Sequence, residues 1–223
     1  MSDEDERALK VDILTVGPMQ TACYIVADKA TDEAMVIDPG GDADMILESL
    51  GMMNAGPSYI VNTHGHGDHI ASNGNIKRDY PDAILCIHGA DAAMLADPMA
   101  NLSALFGIAV TSPPADRLLA EGDDIELGEN RFRVIHLPGH TPGGIGLYWP
   151  GTESVAGMLF CGDALFAGGV GRTDFSGGDE HGLLSAIRSK IFTLPDDTIV
   201  LPGHGPATTV GREKETNPFF ATA

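Results

Sequence analysis

Basic residues are scarce in this chain: 13 Lys and Arg stand against 32 Asp and Glu, a formal net charge of −19. Such a surface repels phosphate backbones and anionic membranes, so neither a nucleic acid nor a membrane is an expected partner. The acidic excess reads instead as a solubilising surface, of a kind suited to high salt. Long apolar runs are missing too; none approaches the roughly 18 residues that a membrane span requires. Met1 to Lys10 is acidic and polar and has no signal-peptide apolar segment, so the expected location is cytoplasmic. Cysteines number three, Cys23, Cys86 and Cys161, far apart and in apolar surroundings. An odd, scattered set argues against a disulfide framework and fits reduced, buried thiols. The 223 residues, 43% of them hydrophobic, suit one α/β domain over 1–223 that needs no staples.

Apolar periodicity marks strands at Lys10–Val16, Ala22–Ala27, Ala34–Ile37, Ser58–Asn62 and Ala83–Ile87. A helix is expected from Asp42 or Asp44, as cap, to about Gly51, and another from about Asp68 to Tyr80, halted by Pro81. Residues 89–120 show no clean period. Further strands are expected at Asp124–Leu127, Phe132–Leu137, Gly144–Tyr148, Val155–Cys161 and Thr198–Leu201, with a helix at Glu180–Ile191 and a short one after Gly211. Strands come in runs, with helices after each half. That order favours two sheets packed face to face with helices outside.

Of eight histidines, three (His64, His66 and His69) fall in one six-residue stretch, interleaved with Asp68 and with glycines. Imidazole nitrogens and a carboxylate, spaced by residues that tolerate unusual backbone angles, are the ligands expected for Zn²⁺ or a similar cation. Buried without a cation, so many polar groups would lack partners. Two Pro-Gly-His segments deliver His140 and His204 just past apolar strands, and Leu159-Phe160-Cys161 delivers Asp163 in the same way. Four strand ends thus present His and Asp groups toward one edge. Cys161, two residues before Asp163, could share its face as a soft ligand, but reads better as a core residue.

The segments T-H-G-H-G-D-H at 63–69, P-G-H-T-P-G-G at 138–144, C-G-D-A-L-F at 161–166 and P-G-H-G-P at 202–206 resemble the metal-binding motifs of the metallo-β-lactamase superfamily. Among its branches the chain most resembles short glyoxalase II-like hydrolases. The resemblance implies an αββα sandwich and two divalent ions, with zinc expected first and iron or manganese also suited. His64, His66 and His140 would hold one ion, Asp68, His69 and His204 the other, and Asp163 would bridge them. Two such cations, about 3.5 Å apart, lower the pKa of a shared water so that hydroxide can attack a carbonyl. The implied substrate is a small-molecule thioester of the S-lactoylglutathione type, with a thiolate leaving. Asp68 would also orient the nucleophile or accept a proton.

Arg172, in the glycine-rich segment 168–174, could meet a substrate carboxylate or simply pair with an acid on the surface. In glyoxalase II the matching loop carries a lysine and then a tyrosine that help hold glutathione; Arg172 keeps the charge, but Asp174 replaces the tyrosine. Pro206 likewise stands where that family has a tyrosine. The chain ends 19 residues past His204, so the helical glutathione-binding domain of glyoxalase II proper is not expected. G-R-T-D-F at 171–175 also resembles persulfide dioxygenases, whose single Fe(II) would here take His64, His140 and Asp163. Lactones, phosphodiesters or β-lactams are further substrate classes of the superfamily. His136 could support the site from behind; His88 and His181 read as loop and surface residues.

Overall fold

Every residue of the strand Thr21–Asp28 (β2) is buried, because its side chains leave alternately for two different cores. Ala22, Tyr24 and Val26 face inward between two sheets, whereas Cys23, Ile25 and Ala27 face a helical layer. The same split recurs through the computed structural model, which describes residues 9–220. Most of the acidic stretch read at Met1 to Lys10 lies outside the described residues.

One sheet runs in spatial order β1 (Leu9–Val16), β2, β3 (Glu33–Ile37), β4 (Gly56–Val61), β5 (Ile84–His88) and β6 (Arg117–Leu119). It is antiparallel up to β3 and parallel from there to β6. The second sheet comprises β7 (Asp124–Leu127), β8 (Asn130–His136), β9 (Ile145–Trp149) and β10 (Met158–Gly162), followed in the chain by a small hairpin of β11 (Leu165–Phe166) and β12 (Gly169–Val170), and is completed by β13 (Ile199–Pro202) and β14 (Thr208–Thr209). Its order is β14-β13-β10-β9-β8-β7, with β10 and β13 parallel.

Between the sheets, Met35, Ile37, Phe132, Val134, Leu147 and Phe160 are fully buried. Burying each such side chain is worth about 1.5–3 kcal/mol, the main force that clamps the sheets together. Ile46 and Leu50 of α1 (Ala43–Met53) cover the outer face of the first sheet. Leu183, Ala186 and Ile187 of α4 (Glu180–Lys190) and Val210 of α5 (Val210–Thr216) cover the second. The expected αββα sandwich therefore forms.

Several local expectations are corrected. The single helix read over 68–80 is two, α2 (Gly67–Ile70) and α3 (Asn73–Asp79). The Ser72 N–H donates across to the Pro39 carbonyl at 2.8 Å, so the helical ladder breaks there. Asp42 does precede α1, but in a left-handed conformation (φ 45°) and without capping it through its side chain. Its carboxylate accepts instead from the Gly17 N–H at 2.8 Å. The unpatterned stretch 89–120 holds two 3₁₀ turns, Ala92–Ala96 and Ser103–Phe106, and then β6. The strand expected from Val155 starts only at Met158, because Val155 closes a turn with its N–H on the Thr152 hydroxyl at 3.2 Å.

Candidate metal centre

β4, β8, β10 and β13 all end toward the same rim, and each is followed by a loop bearing His or Asp. Backbone bonds between those loops fix their spacing. The Ile145 N–H donates to the Thr63 carbonyl at 2.8 Å, Gly203 N–H to Gly162 at 2.9 Å, and Ala22 N–H to Gly203 at 2.8 Å. The seven expected residues arrive at one place. His64, His66 and His140 form one converging set of donor atoms, and Asp68, His69 and His204 another, each set lying within 4.8 Å. Asp163 stands between them: Oδ2 is 3.6 Å from Nε2 of both His140 and His204, and Oδ1 is 3.6 Å from His69 Nε2.

These separations fit cations. Zinc–nitrogen bonds of 2.0–2.1 Å in a tetrahedron place the ligand atoms about 3.3 Å apart. Here His66 Nδ1 lies 3.1 Å from His64 Nε2 and 3.0 Å from His140 Nε2. Asp68 Oδ2 lies 3.4 Å from His69 Nε2 and 3.2 Å from His204 Nε2. His69 Nε2 and Asp163 Oδ1 are buried without any hydrogen-bond partner, a costly arrangement that bound ions would relieve.

The protein sets which nitrogen two of these histidines offer. The Arg172 carbonyl can only accept, so His140 donates to it through Nδ1–H at 2.7 Å and leaves Nε2 free for the centre. His69 Nδ1 is held at 2.9 Å by Asp38, whose carboxylate also accepts from the Thr63 N–H at 2.7 Å and hydroxyl at 2.6 Å. Such carboxylate–histidine pairs orient metal ligands from behind. Asp38 lies outside the motifs that carry the expected ligands, directly after β3. Its left-handed backbone (φ 51°) at the end of a buried apolar strand is the signal of a special position. Thr21, likewise missed, donates to Asp68 Oδ2 at 3.1 Å.

Electrostatics divide the two sets. Burial, reinforced by the neighbouring imidazoles, pushes His66 down to about 3 and His64 well below the usual range, so both are neutral with lone pairs available. Burial also disfavours charge on His69, but Asp68, Asp38 and Asp163 overcome it and hold that ring's pKa well above its ordinary value. His204 is raised in the same sense by Asp68, against its burial. Asp68 is in turn kept far below the usual carboxylate range by His69 and His204, although burial works the other way.

The remaining expectations fall around this cluster. The Arg172 side chain is exposed and already forked onto Asp174, at 2.9 and 2.8 Å, with its guanidinium 4.2 Å above the Phe175 ring. Phe175 in turn meets His66 edge-on at 6.2 Å. Cys161 packs in the outer core of the second sheet, and burial pushes its thiol up to about 12. His136 donates to or accepts a proton from no ligand; it bonds to the Pro142 carbonyl at 2.9 Å and stacks on His88 at 4.2 Å. His181 is exposed at the start of α4.

A four-layer sandwich with clustered His and Asp donors at one rim defines a metal-dependent hydrolase fold. The model of the metallo-beta-lactamase superfamily matches residues 16–204, and the chain belongs to that superfamily. It is 35% identical to the hydroxyacylglutathione hydrolase GloC of Haemophilus influenzae over 218 residues, covering 95% of this chain and 98% of the relative. Among solved structures it is similar to the BLEG-1 B3 metallo-beta-lactamase (38% identity, TM-score 0.89, covering 96% of this chain and 100% of the other). It is also similar to TTHA1623 in a di-iron-bound form (35% identity, TM-score 0.80, covering 93% and 99%). Among the described residues no helix is long and apolar enough to cross a membrane.

Proposed function

We propose that this protein is a dinuclear metal-dependent hydrolase of small-molecule thioesters of the S-lactoylglutathione type, working as a single domain with zinc as its first-choice metal. The observation that carries the reading is the double donor set with Asp163 between its halves, Oδ2 lying 3.6 Å from Nε2 of both His140 and His204 and Oδ1 3.6 Å from Nε2 of His69. Two bound cations supply a nucleophilic water at neutral pH and polarise the carbonyl to be attacked. The chain supplies everything else. His64 and His66 stay neutral, and the Arg172 carbonyl fixes the tautomer of His140; Asp38 holds the His69 ring and Thr21 the Asp68 carboxylate. Asp68, anionic and paired with both His69 and His204, is placed to orient the attacking water as well as to hold an ion. The thioester preference rests on the 35% identity to a hydroxyacylglutathione hydrolase along nearly the whole of both chains.

The test is elemental analysis of purified protein together with S-lactoylglutathione hydrolysis. Two ions per chain and a thioesterase activity abolished by His64→Ala are expected. One iron per chain with O₂ consumption on a persulfide would replace this reading with a dioxygenase; turnover unchanged by His64→Ala would remove the centre from the chemistry.

A further inference from the structure

Asp91 lies past the end of β5, outside every motif that carries the donor residues, yet it is fully buried. Its carboxylate joins the two loops that build the three-histidine half of the centre. Oδ2 accepts from the Gly65 N–H at 3.1 Å, between His64 and His66, and from the Thr141 hydroxyl at 2.7 Å, next to His140. Oδ1 accepts from the Gly143 N–H at 2.6 Å, three residues beyond His140. All three partners donate to this one carboxyl group. Gly143 shows how closely the loop is drawn in: a Cβ there would lie 2.7 Å from Asp91 Cγ, Oδ1 and N. Gly65 shares its loop with Asp68 and His69, but the bond falls on the segment between His64 and His66; the His69 ring is held from the other side by Asp38.

We infer that Asp91 is a positioning residue for one half of the centre: it sets the distance of His140 from His64 and His66, and so the affinity of the ion those three rings hold. This rests on the dinuclear reading above. Asp91→Asn is nearly isosteric but places an amide N–H₂ against either the Gly143 N–H or the Gly65 N–H, and two donors facing one another must separate. Thr141→Val removes a single one of the three bonds, and Thr141→Ser keeps it.

The experiment is a competition titration of Zn²⁺ between metal-free protein and a chromophoric chelator, fitted to two sites, with circular dichroism and thermal unfolding of each variant alongside. Wild type is expected to bind two ions. Asp91→Asn should weaken one of them about 10- to 100-fold, the range seen when groups supporting metal ligands are lost, and leave the other within about twofold. Thr141→Val should show a smaller loss at the same site, and Thr141→Ser should restore it. Equal weakening of both sites, or of neither, overturns the role of Asp91 while leaving the centre intact. A wild-type protein that binds no zinc overturns the dinuclear reading itself, and the inference with it.

Discussion

Replacing Gly203 by alanine introduces a methyl group into the middle of the donor cluster. Its Cβ would lie 2.2 Å from Asp163 Oδ1 and 2.7 Å from His69 Cε1. Ordinary contact begins at about 3.4 Å, so the carboxylate must withdraw by more than 1 Å, a large fraction of a metal–ligand bond of about 2.0–2.2 Å. Rotation of Asp163 cannot relieve this cheaply, because its other oxygen is directed at both His140 and His204. Overpacking of this kind costs about 1–3 kcal/mol. For a domain of this size that amounts to roughly 3–10 °C in the unfolding midpoint of the metal-free protein. The loss of metal should be larger in consequence, since Asp163 contacts both donor sets. Gly205→Ala serves as the control two residues away. It has a left-handed backbone (φ 76°) with nothing within 4 Å of its Cβ, so it incurs only the αL penalty of about 1–2 kcal/mol. Differential scanning calorimetry of both variants and elemental analysis after dialysis against a weak chelator are the assays. Gly203→Ala that keeps both ions as firmly as Gly205→Ala would refute the placement of Asp163 at the junction.

Tyr24→Phe removes a buried hydroxyl that donates to the Pro202 carbonyl at 2.6 Å, just before the His204 loop, and should cost about 1–2 kcal/mol in denaturant unfolding. An unchanged midpoint would show that this bond contributes nothing to anchoring β13. Metal uptake should release protons near neutral pH, because the carboxylates keep His69 and His204 protonated above their ordinary range while a cation requires their lone pairs. The sign follows: affinity rises with pH. Calorimetric titration of Zn²⁺ in two buffers of different ionisation heat should give different apparent enthalpies, and identical ones would contradict it.

Histidine and aspartate at the ends of apolar strands, spaced by glycine, were readable one segment at a time, and so was the number of sheets. Strands that come in runs with helices after each half favour two sheets packed face to face, and several His and Asp groups buried in one short loop would lack partners without a cation. The separation of α2 from α3 was not readable. The first proline after Asp68 is Pro81, and the break comes instead from Pro39, thirty-odd residues earlier in the chain, taking the Ser72 N–H. Gly40 packs so closely there that a Cβ would lie 1.7 Å from the Asp68 carbonyl.

Asp38, Thr21 and Asp91 mark the same divide. Periodicity and spacing are local properties, so they reveal which side chains leave a strand end together and what chemistry their atoms permit. The value of a buried carboxylate depends on which donors the fold brings against it from 25 to 52 residues away, as Thr63 lies from Asp38 and Gly143 from Asp91. Ligand identity was therefore local information. Ligand orientation and tautomer arose only when the two sheets closed on each other and excluded water.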